Sequence, residues 1–129
     1  MLCVRGSTGV VSIASEELAN ANVTRGIVPI RFDESHVTQK FGYYVLASGP
    51  IQKQIRQKTY GTALMQINIR DLRKILVPFP PLPEQERITA KLDSLSIETQ
   101  RLEAVYRQKL AALGALKKSL LDQAFTGTL

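Results

Sequence analysis

The chain has 129 residues, 44% of them hydrophobic and 22% charged, with a formal net charge of +6. That composition is ordinary for a folded domain and excludes a wholly disordered chain. No run approaches the ~18 apolar residues of a membrane span, the N-terminus lacks a signal-peptide layout, and the lone Cys3 excludes a disulfide framework or a cysteine metal site. A cytoplasmic location is therefore expected, with Cys3 as a small buried hydrophobe.

The charge is unevenly placed. Residues 1–80 carry ten Lys/Arg against five Asp/Glu, a net of +5, whereas residues 81–129 carry seven against six, a net of +1. The positive excess belongs to the first part, and a basic unit of this size suggests a polyanion partner, nucleic acid first.

Taken in order, Met1–Arg5 is a short apolar run that reads as a buried strand. Gly6-Ser7-Thr8-Gly9 is a turn, and Val10–Ala14 a second strand, so the opening predicts a hairpin. A chain that opens directly on a core strand is expected to be the later part of a larger unit. The Gly-rich turn reads either as a plain hairpin turn or as a loop whose amides, with Arg5 and the Ser7 and Thr8 hydroxyls, meet phosphate or base edges. Ser15–Asn22 is polar and predicts a loop or a single helical turn. Thr24–Phe32 returns to strand character, with Pro29 confining it to an edge or a bulge. His36 has no second ligand at metal spacing and reads as a surface histidine.

Val37–Ser48 predicts a helix with Phe41, Tyr44, Val45 and Ala47 toward a core, weakened by Gly42. Gly49-Pro50 breaks it, and Pro50 is suited to open the next helix. That helix, Ile51–Lys58, puts Ile51 and Ile55 on one face and Lys53, Arg56 and Lys58 on the others. Its basic side, followed by Thr59-Tyr60-Gly61-Thr62, reads either as a nucleic-acid contact or as a solvated face. Ala63–Ile69 alternates as a strand or extended loop, Arg70–Lys74 makes a turn of helix, and Ile75–Phe79 predicts a last strand.

Pro78, Pro80, Pro81 and Pro83 then forbid helix, except that Pro83 is tolerated in the first turn, where its missing N–H would have had no partner. From Pro81 to Phe125 the sequence reads as one helix. Ile88, Leu92, Leu95, Leu102, Tyr106, Leu113, Leu116 and Leu120 follow a 4-3 spacing, and Gly127 supplies a C-terminal stop. At 1.5 Å per residue such a helix is roughly 60 Å long, and its single apolar stripe needs a partner. The seam drifts, with Lys109 in a seam position, Leu110 beside it and Gly114 after Leu113. That drift predicts two neighbours, a like helix along Ile88–Tyr106 and another surface around Leu110–Leu121. Gly114 reads either as a point of close approach or as a mild helix defect.

Chemistry-bearing patterns are absent. The sequence has no Gly-rich phosphate loop, metal-ligand cluster or nucleophile elbow. Glu16-Glu17 and Asp33-Glu34 are adjacent pairs that point apart and do not resemble a facing acid/base dyad, and with the one His and one Cys far apart in polar and apolar contexts no triad is expected. A non-catalytic chain is expected, with no cofactor.

Several motifs occur in an order that carries a resemblance. Arg5-Gly6-Ser7-Thr8-Gly9 comes first, then Asn20 and Asn22, then Gly61-Thr62-Ala63 running into Ile67-Asn68-Ile69. Pro80-Pro81-Leu82-Pro83-Glu84-Gln85-Glu86-Arg87-Ile88 follows, and the helix ends Leu120-Leu121-Asp122-Gln123-Ala124-Phe125-Thr126-Gly127. Together they resemble the specificity (S) subunit of type I restriction-modification enzymes, C-terminal part. The resemblance implies an α+β fold class, with residues 1–80 a partial target-recognition domain and residues 81–129 a long helix forming an antiparallel coiled coil. It implies double-stranded DNA and methyltransferase (M) subunits as partners, with restriction (R) subunits reached through them. Adenine methylation and ATP-driven cleavage would reside in those subunits. Arg5, Ser7, Thr8, Arg25, Lys53, Arg56, Lys58, Tyr60 and Thr62 are the candidate DNA contacts. Ile88, Leu92, Leu95, Leu102, Tyr106, Leu113, Leu116 and Leu120 are the candidate helix-pairing surface, which also predicts a homodimer. The competing reading is a helix-mediated assembly module that binds methyltransferase subunits without reading DNA.

Overall fold

The structure is a computed structural model that describes residues 1–18 and 20–128. Its class is α+β. It divides into two compact units, Met1–Thr89 and Ala90–Leu129. In the first, strand β1 (Leu2–Cys3) pairs antiparallel with β2 (Ile27–Val28), Leu2 opposite Val28 and Cys3 opposite Ile27. Helices α1 (Gln39–Ala47), α2 (Gly49–Lys58) and α3 (Ile69–Leu72) follow, with a 3-10 turn at Glu16–Leu18 between the strands.

The opening hairpin forms, but as backbone bonds rather than two full strands. Leu2 bridges Val11. The Cys3 N–H donates to Val10 O at 2.8 Å, while Cys3 O accepts the Gly9 N–H at 2.9 Å. Two residues thus face one, a β-bulge, and Gly9 at φ +93° supplies the left-handed backbone it needs. The expected Thr24–Phe32 strand shortens to its middle, and Pro29 falls just past β2. Cys3 is only half-buried.

Leu2, Val4, Leu46, Ile51, Ile55 and Ile67 form the core, with Phe32, Val45 and Leu72 among the half-buried residues against it. Leu2, Ile51 and Ile55 are sealed from solvent, each contributing about 1.5–3 kcal/mol of burial. Gly42 also has a packing reason, since a Cβ there would run into the Phe32 ring. The expected break at Gly49-Pro50 is a sharp corner. Ser48, extended at φ −67° and ψ 150°, ends α1 and begins α2, and Pro50 sits in the first turn of α2.

The expected strand at Ile75–Phe79 is not formed. The Gln54 side chain takes the place of a neighbouring strand, donating from Nε2 to Leu76 O at 3.0 Å and accepting the Leu76 N–H on Oε1 at 3.1 Å. One side-chain amide satisfies both backbone groups, so no ladder is needed.

Helix α4 runs Leu82–Thr126, 45 residues, about 67 Å at 1.5 Å per residue. Pro81 O accepts the Glu84 and Gln85 N–H groups at 3.0 and 3.1 Å, opening the first turn around Pro83. At the other end Gly127 has φ +70° and the Thr128 N–H donates to Gln123 O at 3.0 Å, the Schellman closure expected of that glycine.

In the first unit, Gln85 of α4 is fully buried. Its Oε1 accepts the Thr38 N–H at 3.0 Å, and its Nε2 donates to His36 O at 2.7 Å and Pro80 O at 2.8 Å. Thr38 is the N-cap of α1, and its hydroxyl accepts the Phe41 N–H at 3.3 Å. An intact capping box would return a side chain from the third helical residue to the cap N–H. That residue is Phe41, which cannot, and Gln85 does it from 47 residues away. The buried Thr89 hydroxyl has no hydrogen-bond partner among the described residues, and nothing in the structure accounts for it.

In the second unit, α4 exposes Leu95 (54%), Leu102 (48%), Tyr106 (62%), Leu113 (62%), Leu116 (55%) and Leu120 (46%). An Arg107–Glu103 pair at 2.7 Å, four residues apart, supports the polar side. No described helix is long and apolar enough to cross a membrane.

Candidate nucleic-acid interface

The 6–9 turn and the 60–66 loop, far apart in sequence, are stapled together. The Gly6 N–H donates to Met65 O at 2.8 Å, and the Thr8 hydroxyl donates to the same carbonyl at 3.1 Å. Arg5 bridges Gln66, which also pairs both ways with Tyr60 at 2.9 Å. Gly61, at φ +110°, closes the loop so tightly that a Cβ would collide with the Leu64 carbonyl. The Tyr60 hydroxyl donates to Asn68 Oδ1 at 2.7 Å, fixing the ring while leaving it 44% exposed.

A third loop joins this pair. The Val4 N–H donates to Gly26 O at 2.7 Å, and a Cβ on Gly26 would stand 3.2 Å from Arg5 Cβ. Arg25, exposed, is thereby brought beside Arg5. Arg5, Ser7, Thr8, Arg25, Tyr60 and Thr62 therefore belong to three adjoining loops, with Arg5, Ser7, Arg25 and Thr62 exposed and Thr8 half-buried. Gln52 anchors the turn to α2, donating from Nε2 to Gly9 O and Leu46 O, each at 2.8 Å.

The cations of α2 are placed differently. Ile51 and Ile55 face the core and Gln54 reaches Leu76, so Lys53 and Arg56 fall on the solvent side of the helix. Lys58 is half-buried at its last position. Arg5, Arg25, Lys53, Arg56 and Lys58 form no ion pair with any described residue. Their charge is uncompensated, whereas Glu84 and Arg87 are joined by two bonds, of 2.8 and 2.6 Å, that hold the carboxyl below its ordinary pKa.

The residues that hold the loops of this site together went unnoticed in the sequence: Met65 through its carbonyl, Gln52 and Gln66. Backbone carbonyls leave no trace in composition, and no pattern marks those glutamines. Gln85 did leave one. It shares helical phase with Ile88 and Leu92, and a polar side chain on the apolar stripe is the signature of a buried hydrogen-bonding role. Groups of His, Cys, Asp and Glu able to hold a metal are absent among the described residues.

The family described as "Type I restriction modification DNA specificity domain" matches residues 2–111. The type I restriction enzyme EcoBI specificity subunit of Escherichia coli is 26% identical over all of this chain and 27% of its own length. The EcoDI specificity subunit of the same organism is 40% identical over 68 residues, 53% of this chain and 15% of that subunit. The putative MjaX specificity subunit of Methanocaldococcus jannaschii is 30% identical over 98% of this chain and 28% of its own length. The chain thus spans little more than a quarter of the length of such relatives. No solved structure matches it.

Proposed function

The chain belongs to the type I restriction modification DNA specificity domain family, and on that premise we propose that it is a non-catalytic DNA-specificity module, a piece of a target-recognition domain followed by a docking helix. The loop staple carries the reading. Met65 O, accepting from Gly6 and Thr8, gathers Arg5, Ser7, Thr8, Tyr60 and Thr62 onto adjoining loops, and the Val4 N–H to Gly26 O bond adds the loop of Arg25. Exposed unpaired arginines hold phosphate, while the Tyr60 ring and the Ser7 and Thr62 hydroxyls reach sugar and base edges. Lys53, Arg56 and Lys58 extend the positive field along α2 and hold neighbouring phosphates. Residues 1–80 act as the recognition part and residues 81–129 as the helix. Methylation and cleavage belong to methyltransferase subunits and to restriction subunits bound through them.

Duplex binding measured by fluorescence anisotropy, with methyltransferase subunits present, tests this. Five cations on phosphates give a slope of log K against log salt of about −4.5. Arg5→Ala flattens it by about 1 whatever the sequence. A flat salt dependence, or no duplex binding with the methyltransferase present, sinks the reading.

One observation favours a second reading, an assembly module that binds methyltransferase without DNA. The stripe Leu95, Leu102, Tyr106, Leu113, Leu116 and Leu120 is uncovered in the second unit, and with Ile88 and Leu92 it can pair with a second copy of the helix in an antiparallel homodimer. Pull-down of methyltransferase by a chain that ignores duplex DNA selects it.

A further inference from the structure

Residues 65–67 are the middle of a small three-segment ladder. On one side Gln66 exchanges two backbone bonds with Tyr60, each at 2.9 Å. On the other it stands opposite Arg5, between the bonds from the Gly6 N–H to Met65 O at 2.8 Å and from the Ile67 N–H to Val4 O at 3.0 Å. Residues directly opposite in an antiparallel ladder turn their side chains to one face. Arg5, Gln66 and Tyr60 therefore form a row across the ladder, about 10 Å from end to end.

Burial decides which face this is. Val4 and Ile67, the neighbours of Arg5 and Gln66 along their segments, are 8% and 4% exposed and belong to the core. Alternation along each segment then puts the row on the outward face. The Tyr60 hydroxyl agrees, since it reaches Asn68, two residues on from Gln66 and on the same face.

Gln66 is half-buried in the middle of this row. Its side-chain amide makes no hydrogen bond with any described residue. The amides of Gln52, Gln54 and Gln85 are by contrast spent on backbone groups. Gln66 thus keeps a donor and an acceptor free on an outward face, and its backbone is fixed from both sides. Residues 59–69 carry no charge, and Lys58 and Arg70 bound them. The surroundings are therefore cationic, and the middle is neutral.

We propose, resting on the DNA-specificity reading, that Gln66 is a base-reading residue that recognises an adenine in the major groove of duplex DNA. That groove admits a two-stranded ribbon such as the Tyr60–Gln66 pair. Guanine presents two acceptors there, cytosine a donor alone, and thymine an acceptor beside a methyl group; adenine alone offers a donor next to an acceptor. Gln66 Oε1 accepts from the adenine N6 amino group while Nε2 donates to N7, so both free groups are used. Arg5, at one end of the row, holds the phosphate beside that base pair.

The test uses the full chain with methyltransferase subunits present. A preferred duplex is selected from a random pool, and each adenine in it is replaced in turn by 7-deazaadenine, which lacks the N7 acceptor. At one position this is expected to weaken binding at least about fivefold, the lower end for a bidentate base contact. Gln66→Leu is expected to lose a similar factor on the unmodified duplex, to ignore 7-deazaadenine, and to keep the salt slope, because it holds no phosphate. Gln66→Glu, whose carboxylate only accepts, is expected to turn the preference there from adenine to cytosine, which offers its N4 donor. The Glu variant is close in shape and carries the test if the Leu variant does not fold. A parent pool with no preferred duplex, no adenine sensitive to 7-deazaadenine, sensitivity that persists in Gln66→Leu, or a Glu variant that still selects adenine overturns the proposal. A steep salt slope with any of these sinks the adenine contact alone, whereas a flat slope or no duplex binding sinks the DNA reading itself.

Discussion

Gln85 offers the sharpest test of how the first unit is held. Gln85→Leu keeps side-chain bulk and deletes hydrogen bonds of 3.0, 2.7 and 2.8 Å to Thr38, His36 and Pro80. Each buried partner left unsatisfied costs about 1–3 kcal/mol. Thr38 and Pro80 are only half-buried and His36 is exposed, so water recovers part of the loss and the lower figure applies, about 3 kcal/mol in total. A unit of this size has roughly 4–13 kcal/mol of stability, and the melting temperature should fall by roughly 12–24 °C. The assay is thermal unfolding followed by near-ultraviolet circular dichroism, which reports the edge-to-face Tyr43–Tyr44 pair of α1 at 5.3 Å. Gln85→Glu sharpens it. An ionised carboxylate still accepts from Thr38 but faces two carbonyl oxygens, so burial raises its folded pKa. Its neutral form can donate, and stability is then fully present below the unfolded carboxyl pKa and lost as pH rises through the folded one. The Leu variant has no such dependence. A Gln85→Leu protein within ~0.5 kcal/mol of the parent, or a Glu variant indifferent to pH, refutes the clasp.

Four further outcomes follow from the geometry. Gly61→Ala places a Cβ against the Leu64 carbonyl at φ +110° and should cost about 1–3 kcal/mol, with duplex affinity falling more than melting temperature because the Tyr60 loop shifts. Asp33 is held below its ordinary carboxyl pKa of 3.8, chiefly by the Ser35 hydroxyl at 2.6 Å, then by the Ser35 N–H at 3.0 Å and by His36. The ordering it gives the 33–36 turn is therefore present above the unfolded pKa and lost as pH falls through the folded one; an NMR titration of its carboxyl with a midpoint at or above 3.8 contradicts this. Leu102→Glu, at a position 48% exposed in the single chain, should leave monomer stability within ~0.5 kcal/mol yet weaken self-association at least tenfold in sedimentation equilibrium. Gly114, whose Cβ would meet nothing within 4 Å, should accept a bulky residue without loss of pairing.

What the sequence alone determined is what local rules govern. Four prolines, the heptad-like stripe and Gly127 defined α4 nearly to the residue, because helix start, stop and apolar phase are properties of neighbouring residues. Ile51 and Ile55 declared the buried face of α2 for the same reason. The ordered motifs placed the chain in its family, since they require particular residues at particular spacings.

What only tertiary structure decided is what distant residues do for one another. Ile75–Phe79 has the composition of a strand, yet Gln54 satisfies Leu76 from another helix and no ladder forms. Gly42 reads as a helix defect until Phe32 fills the space beside it. The loop pair around Met65 O and the row of Arg5, Gln66 and Tyr60 depend on register between segments that hold no sequence signal for each other. Gln85 stands between the two classes. Its phase was legible, but its partners at Thr38 and His36 were fixed only when α4 packed against the start of α1 and completed a cap that Phe41 cannot.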